Sequence, residues 1–186
     1  MVSWQMIRTW FRLTKKNKDK IQEQLFFQVD DFTYHFAEKE DIEALLEVEQ
    51  DIYEELPWNY QHFYREIVEN PQASFILAKK EEEAVAYIGM NWHKKYCIFN
   101  ISNFVVKTNY QSQGLGSCLL NYALEFSKIL EIFSVNLKVD QDNQKAKVFY
   151  QYHGFKYQKT IENYYNNGHT AIEMRKELIS ESNLSS

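Results

Sequence analysis

The sequence predicts an α+β fold, a mixed and mostly antiparallel sheet flanked by helices, and three observations predict it. Strand-like and helix-like stretches follow one another in the order strand, helix, helix, three strands, helix, strand, helix, two strands. In the middle, a β-branched and aromatic run ending at Phe104, Val105 and Val106 gives way to the polar turn Lys107 to Gln113 and then to a helix opened by Gly114, Leu115, Gly116 and Ser117. Near the end, two strand-like runs flank Asn166, Asn167 and Gly168, a turn sequence that reads as the bend of an antiparallel pair.

Each element has its own reason. A short strand at Phe32 to Ala37 precedes a long helix from about Lys39 to Leu56, on which Ile42, Leu45, Leu46, Ile52, Tyr53 and Leu56 form one apolar stripe. Glu40, Glu43, Glu47 and Glu54 face away, while Glu49 falls within the stripe. A carboxylate there sits either at the rim of a cleft or buried with a raised pKa, which makes Glu49 a candidate site residue; an edge residue reaching solvent is the bland alternative. Pro57 and Trp58 break the helix, and a second, Tyr60 to Glu69, ends before Pro71. Two strands, Ala73 to Lys79 and Ala84 to His93, are joined by a charged turn. After the central strand and helix, Ser134 to Val139 alternates as a strand. Asn143 then caps a short helix carrying Ala146, Phe149, Tyr150 and His153 on one face and stopping at Gly154. The strands Phe155 to Asn163 and His169 to Lys176 close the sheet.

A chain of 186 residues can bury one good core and is short for two. Residues 1–30 read as a basic amphipathic extension, 31–178 as the folded domain and 179–186 as a flexible tail. The net charge of −5 is unevenly spread: the first twenty residues hold six Lys/Arg against Asp19, a net +5, so the remainder carries −10. An acidic body argues against nucleic-acid binding, which draws its affinity from cations on phosphates. The basic segment, with Trp4, Ile7, Trp10 and Phe11 near helical spacing, suits a membrane surface or an acidic protein partner, or the acidic domain itself. Cys97 and Cys118 lie in apolar stretches without the spacing of a metal site, so no metal is expected and the thiols read as free and buried. No apolar run is long enough to span a membrane and no secretory leader is visible, which points to a cytoplasmic protein.

The glycines at the head of the central helix carry the chemistry. Glycine lets a ligand approach the backbone, and the first helical turn leaves N–H groups unpaired and pointing outward, an anion cradle suited to a pyrophosphate. The third glycine of a dinucleotide fingerprint is missing, its place taken by Leu119. Gln111, Gly114 and Gly116 instead resemble motif A of the GNAT N-acetyltransferases, Q/R-x-x-G-x-G/A. Asn143, Ala146, Tyr150, Gly154 and Phe155 resemble that family's second signature, N-x-x-A-x-x-x-Y-x-x-x-G-F. The resemblance spans about Phe32 to Leu178. Glu49 after Val48, Pro57-Trp58 and Asn163-Tyr164-Tyr165 look most like the branch that acetylates ribosomal-protein alanines.

The resemblance implies a GNAT fold and an acetyl-CoA-dependent transferase. The pyrophosphate would lie on the amides of Gln111, Ser112, Gln113, Gly114, Leu115, Gly116 and Ser117, with Asn143 beside it. The pantetheine arm would follow Phe104, Val105 and Val106, and Tyr150 would donate a proton to the departing thiolate. The acceptor would be a protein or peptide N-terminal amine, or else a small amine; a non-catalytic acyl-CoA-binding module is the other reading. One departure stands out. Lys138 occupies the strand position where the ribosomal-alanine branch commonly has a glutamate as general base, which leaves Glu49 or a water to take the amine proton.

Overall fold

The computed structural model describes residues 31–93, 96–129, 132–165 and 167–178. The basic segment at 1–30 and the tail at 179–186 lie outside these residues, so the expectations placed on them are untouched. Seven strands form one sheet: β1 (Phe32–Phe36), β2 (Ala73–Lys80), β3 (Glu83–His93), β4 (Ile98–Val106), β5 (Ser134–Asp140), β6 (Lys156–Ile161) and β7 (Ala171–Glu177). Their order is β1-β2-β3-β4-β5-β7-β6. Every neighbouring pair is antiparallel except β4 with β5.

Alternation along β2 decides which helices cover which face. Phe75 and Leu77 point to the side covered by α1 (Ile42–Gln50) and α2 (Tyr60–Tyr64), where they meet Ile42, Leu45, Val48 and Phe63. Ile76 and Ala78 point to the other side, covered by α3 (Leu115–Ile129) and α4 (Gln144–Tyr152), where Leu119, Leu120, Ala123 and Phe126 pack. Ile42, Leu45 and Val48 are fully buried, and each contributes about 1.5–3 kcal/mol by leaving water. The helices on both faces and the closing antiparallel pair agree with the sequence expectation.

The first helix is shorter than its hydrophobic period suggests. It ends at Gln50, where the Glu49 carbonyl accepts from both Ile52 N and Tyr53 N, and the Asp51 carboxylate accepts from Thr108 N at 2.6 Å. That tertiary bond draws the chain across to the loop after β4 before another turn can form. Ile52, Tyr53 and Leu56 are consequently 36, 42 and 36 % exposed rather than buried in the stripe. α2 begins at an Asn59 cap whose Oδ1 accepts from His62 N, and it runs on as a π-turn over Arg65–Glu69.

What positions the site is a wedge between β4 and β5. The parallel pairing runs from Ile98 with Ser134 to Ile101 with Leu137 and stops there. On its other edge β4 carries a bulge, because Met90 pairs with Ile101 but Gly89 pairs with Asn103, leaving Ser102 extra. An inserted residue bends the strand and increases its twist. Gly89 sits opposite the bulge because the Phe75 ring occupies its side-chain space: a Cβ there would lie 2.4 Å from the ring. Beyond the bulge Phe104–Val106 have no β5 partner, and β5 continues through Lys138, Val139 and Asp140 paired to β7 alone.

Candidate active site

The wedge opens into a cleft of about 480 Å³. Its floor and one wall are Phe104, Val105 and Val106 of β4; the loop and first turn of α3 supply Gln111, Ser112, Gly114, Gly116 and Ser117; α4 supplies Asn143, Lys145, Ala146, Phe149 and Tyr150; the turn after α1 closes the rim with Ile52 and Tyr53. Most residues singled out from sequence therefore lie together. Gln113 and Leu115 do not line the cleft with their side chains: Gln113 Nε2 donates to Asn109 O at 2.6 Å, and Leu115 is buried in the core. Their backbone remains part of the loop.

The anion cradle is built by backbone geometry. Ser112 and Gly114 take φ of 61° and 89°, and nothing lies within 4 Å of where a Cβ on Gly114 would stand. The first intrahelical bond runs from Cys118 N to Gly114 O at 3.0 Å, so the N–H groups before it face outward. A Cβ on Gly116 would meet Phe149 and Val106 at an ordinary 3.7 Å. Gln111 bridges the mouth, donating Nε2 to Val106 O at 3.0 Å and accepting from Lys145 Nζ at 2.8 Å. Asn143 Oδ1 caps α4 by accepting from Ala146 N at 2.9 Å, which leaves its Nδ2 for a ligand.

Tyr150 is 8 % exposed and lines the same cleft as the cradle glycines. Rings of Phe104, Phe149 and Phe155 surround it at 6.3, 5.3 and 5.7 Å, which fixes its direction. Burial pushes its hydroxyl well above the usual phenol range, and the phenolic groups of Tyr53 and Tyr165 add to the shift. Tyr150 therefore stays protonated and acts as a hydrogen-bond donor. Burial, and then the charge of Asp140, pushes Tyr165 up to about 12.

Glu49 takes the buried of the two placements expected for it, away from the residues that line the cleft. It is 0 % exposed, its Oε1 accepts from Tyr87 at 2.5 Å, and it packs on the α1 side of the sheet without lining the cleft. Its Oε2 has no partner at hydrogen-bond distance. Burial pushes the carboxyl above its ordinary range, while Tyr87, the Trp58 amide and Asn103 pull it partway back. Lys138 is exposed, with Nζ 5.3 Å from the Tyr164 ring centre.

Five cleft residues were not singled out for it from sequence: Ile52, Tyr53, Lys145, Ala146 and Phe149. Ile52 and Tyr53 were assigned to a helix stripe, and Phe149 to the apolar face of its helix. Lys145 gives no signal, since a lysine in a first helical turn is ordinarily solvated. Among the described residues, Asp140, Asp142 and His169 form a group whose ligand atoms lie within 4.8 Å of one another.

A splayed parallel pair, a glycine cradle and a buried phenol lining one cleft together define an acyl-thioester transferase site. Comparison with known proteins makes this specific. Residues 28–178 match the family described as "Acetyltransferase (GNAT) domain", and the chain belongs to the GNAT acetyltransferases. It is 30 % identical over 139 residues, 73 % of this chain and 88 % of the relative, to a Bacillus subtilis (strain 168) protein provisionally named ribosomal protein bS18-alanine N-acetyltransferase. Among solved structures it resembles the ribosomal-protein-S18-alanine N-acetyltransferase of Escherichia coli, with TM-score 0.73, 23 % identity, 83 % of this chain and 99 % of that one covered. It also resembles Arabidopsis thaliana Naa50 in complex with the bisubstrate analogue CoA-Ac-MVNAL, with TM-score 0.68, 22 % identity, and 79 % and 99 % covered.

Proposed function

We propose that this N-acetyltransferase moves the acetyl group of acetyl-CoA onto the N-terminal α-amine of a protein or peptide. The observation that carries the reading is one cleft lined both by the cradle loop, from Gln111 to Ser117, and by Tyr150. The names of the relatives support the acceptor: two refer to a ribosomal-protein alanine, and one is bound to a CoA and peptide conjugate.

In this mechanism the cradle amides hold the diphosphate, and the β4 stretch Phe104–Val106, freed from β5, offers backbone groups to the pantetheine arm. Holding both substrates in the wedge supplies rate through proximity. The neutral amine attacks the thioester carbonyl, a C–N bond forms, the C–S bond breaks, and the thiolate leaves as Tyr150 donates a hydrogen bond to the sulfur. The surplus amine proton passes to solvent at the open mouth. Among the described residues no carboxylate or imidazole lines the cleft, and magnitudes favour an acceptor that needs no strong base. An α-amine of pKa about 8 is roughly a quarter neutral near pH 7.5, against roughly 0.1 % for a lysine side chain.

Thiol release from acetyl-CoA, measured with a panel of N-terminal peptides competed against polyamines and amino acids, tests the reading. Faster release with peptides than with small amines is expected. Release no faster than the acceptor-free control across both panels would remove it.

A further inference from the structure

Where the sequence departs from the branch it resembles, the structure gives the departing residue another task. Lys138 and Asp140 stand two apart on β5, on one face, in the stretch that has left β4 and borders the wedge. Both reach the turn between β6 and β7. Lys138 Nζ lies 5.3 Å over the Tyr164 ring, and Asp140 Oδ2 takes His169 Nδ1 at 2.8 Å. His169 organises the turn: its carbonyl accepts from Tyr164 N and Tyr165 N at 3.0 and 3.1 Å, and its own N–H donates to Asn167 Oδ1 at 3.1 Å. Gly168 N donates to Tyr165 O at 2.8 Å, and Gln141 N to Thr170 O at 2.9 Å, so the turn is closed on itself and tied again to the end of β5. The residue so held, Tyr165, is one of the phenols that add to the upward shift of the Tyr150 hydroxyl, after burial and Tyr53.

We propose that Lys138 and Asp140 are positioning residues for the acceptor: through Tyr164 and His169 they clamp residues 162–165 and 167–169, between β6 and β7, beside the wedge, and the clamped turn sets acceptor affinity without touching the acetyl-CoA cradle. This rests on the transferase reading above. An exposed cation over a ring and an exposed imidazole–carboxylate pair are each weak, but they act on one short turn from the same strand, so losing either loosens it.

The test compares the full-length protein with Lys138→Met, His169→Ala and His169→Gln, using whichever peptide or amine gives the highest kcat/KM in the panel, alongside hydrogen–deuterium exchange of the 162–169 amides. Lys138→Met and His169→Ala should raise exchange and raise acceptor KM about five-fold or more, with kcat and acetyl-CoA KM within about two-fold. His169→Gln, which keeps an N–H for Asp140, should recover part of the acceptor affinity. Unchanged exchange in both variants overturns the clamp whether or not any acceptor is acetylated. Raised exchange with an unmoved acceptor KM overturns its link to binding. Absence of turnover in the parent protein removes the transferase reading instead, and the clamp then stands or falls on exchange. Lys138→Glu separates the remaining possibility: a higher kcat with a shifted pH–rate profile would mean that a base had been lost at this position, and would sink the clamp.

Discussion

The Tyr87 hydroxyl donates to Glu49 Oε1 at 2.5 Å across the α1 face of the sheet, and both side chains are fully buried. The pair fixes the last turn of α1, from which the chain turns to bring Ile52 and Tyr53 to the cleft rim. Burial raises the Glu49 carboxyl above its ordinary value of 4.5, so the fold prefers it protonated. As pH rises above 4.5 the unfolded chain ionises first, and stability falls until the raised folded value is passed. Glu49→Gln should flatten that slope and be at least as stable as the parent at pH 8, measured by denaturant unfolding across pH. Glu49→Ala should lose roughly 1–3 kcal/mol by leaving the Tyr87 hydroxyl unpaired. Because the carboxyl is sealed, kcat of the Gln variant should stay within about three-fold. A drop of about 10²-fold with loss of the ascending limb of the pH–rate profile would make Glu49 the base after all.

Tyr150→Phe separates chemistry from binding. The ring keeps its packing among Phe104, Phe149 and Phe155, so thermal stability and CoA affinity by calorimetry should hold within a few-fold. Turnover should fall about 10²-fold, the usual cost of one donor to developing charge. Burial raises the phenol, so no descending limb from its ionisation should appear in the parent's pH–rate profile below pH 10. Equal loss of CoA affinity and turnover would mark Tyr150 as a packing residue instead.

How much of this was legible in the sequence depends on how local each feature is. Strand alternation, the glycine junction and the Asn143 cap are written in neighbouring residues, and they lie where expected. The end of α1 is not local: Ile52, Tyr53 and Leu56 continue a helical period, yet a bond between residues 51 and 108 stops the helix at Gln50. The same distance hides the wedge, which needs the bulge at Ser102, the ring over Gly89 and the parting of β4 from β5. Lys145 joins the site because α4 folds back over the loop, which no spacing rule encodes.

The two cradle glycines should respond differently to a methyl group. Gly114 holds φ of 89°, so Gly114→Ala meets open space yet costs about 1–2 kcal/mol of backbone strain, and relaxing that strain turns the loop amides away from the diphosphate. Gly116 is helical with ordinary clearance, and Gly116→Ala should be neutral or stabilising by up to about 1 kcal/mol. Acetyl-CoA KM should rise at least about ten-fold for the first variant and no more than about three-fold for the second. Equal effects of the two would show that space, and not backbone direction, governs the cradle.

Lys145 makes the last prediction, and it turns on charge. Its ammonium holds Gln111 Oε1 at 2.8 Å, and Gln111 in turn holds Val106 O at 3.0 Å, so a cation from α4 is tethered above a cradle otherwise made of neutral amides. Diphosphate bound below offers that cation a better partner than an amide oxygen. Lys145→Met should raise acetyl-CoA KM about three- to ten-fold at low ionic strength, leaving kcat unchanged, because the residue binds a part of the substrate remote from the reacting carbon. Exposed charges are screened within about 3 Å at 1 M salt, so the difference between parent and variant should nearly vanish there. A KM increase that persists in high salt would instead trace to the lost Gln111 tether and a loosened loop, and the ammonium would then be a strut and not an anion ligand.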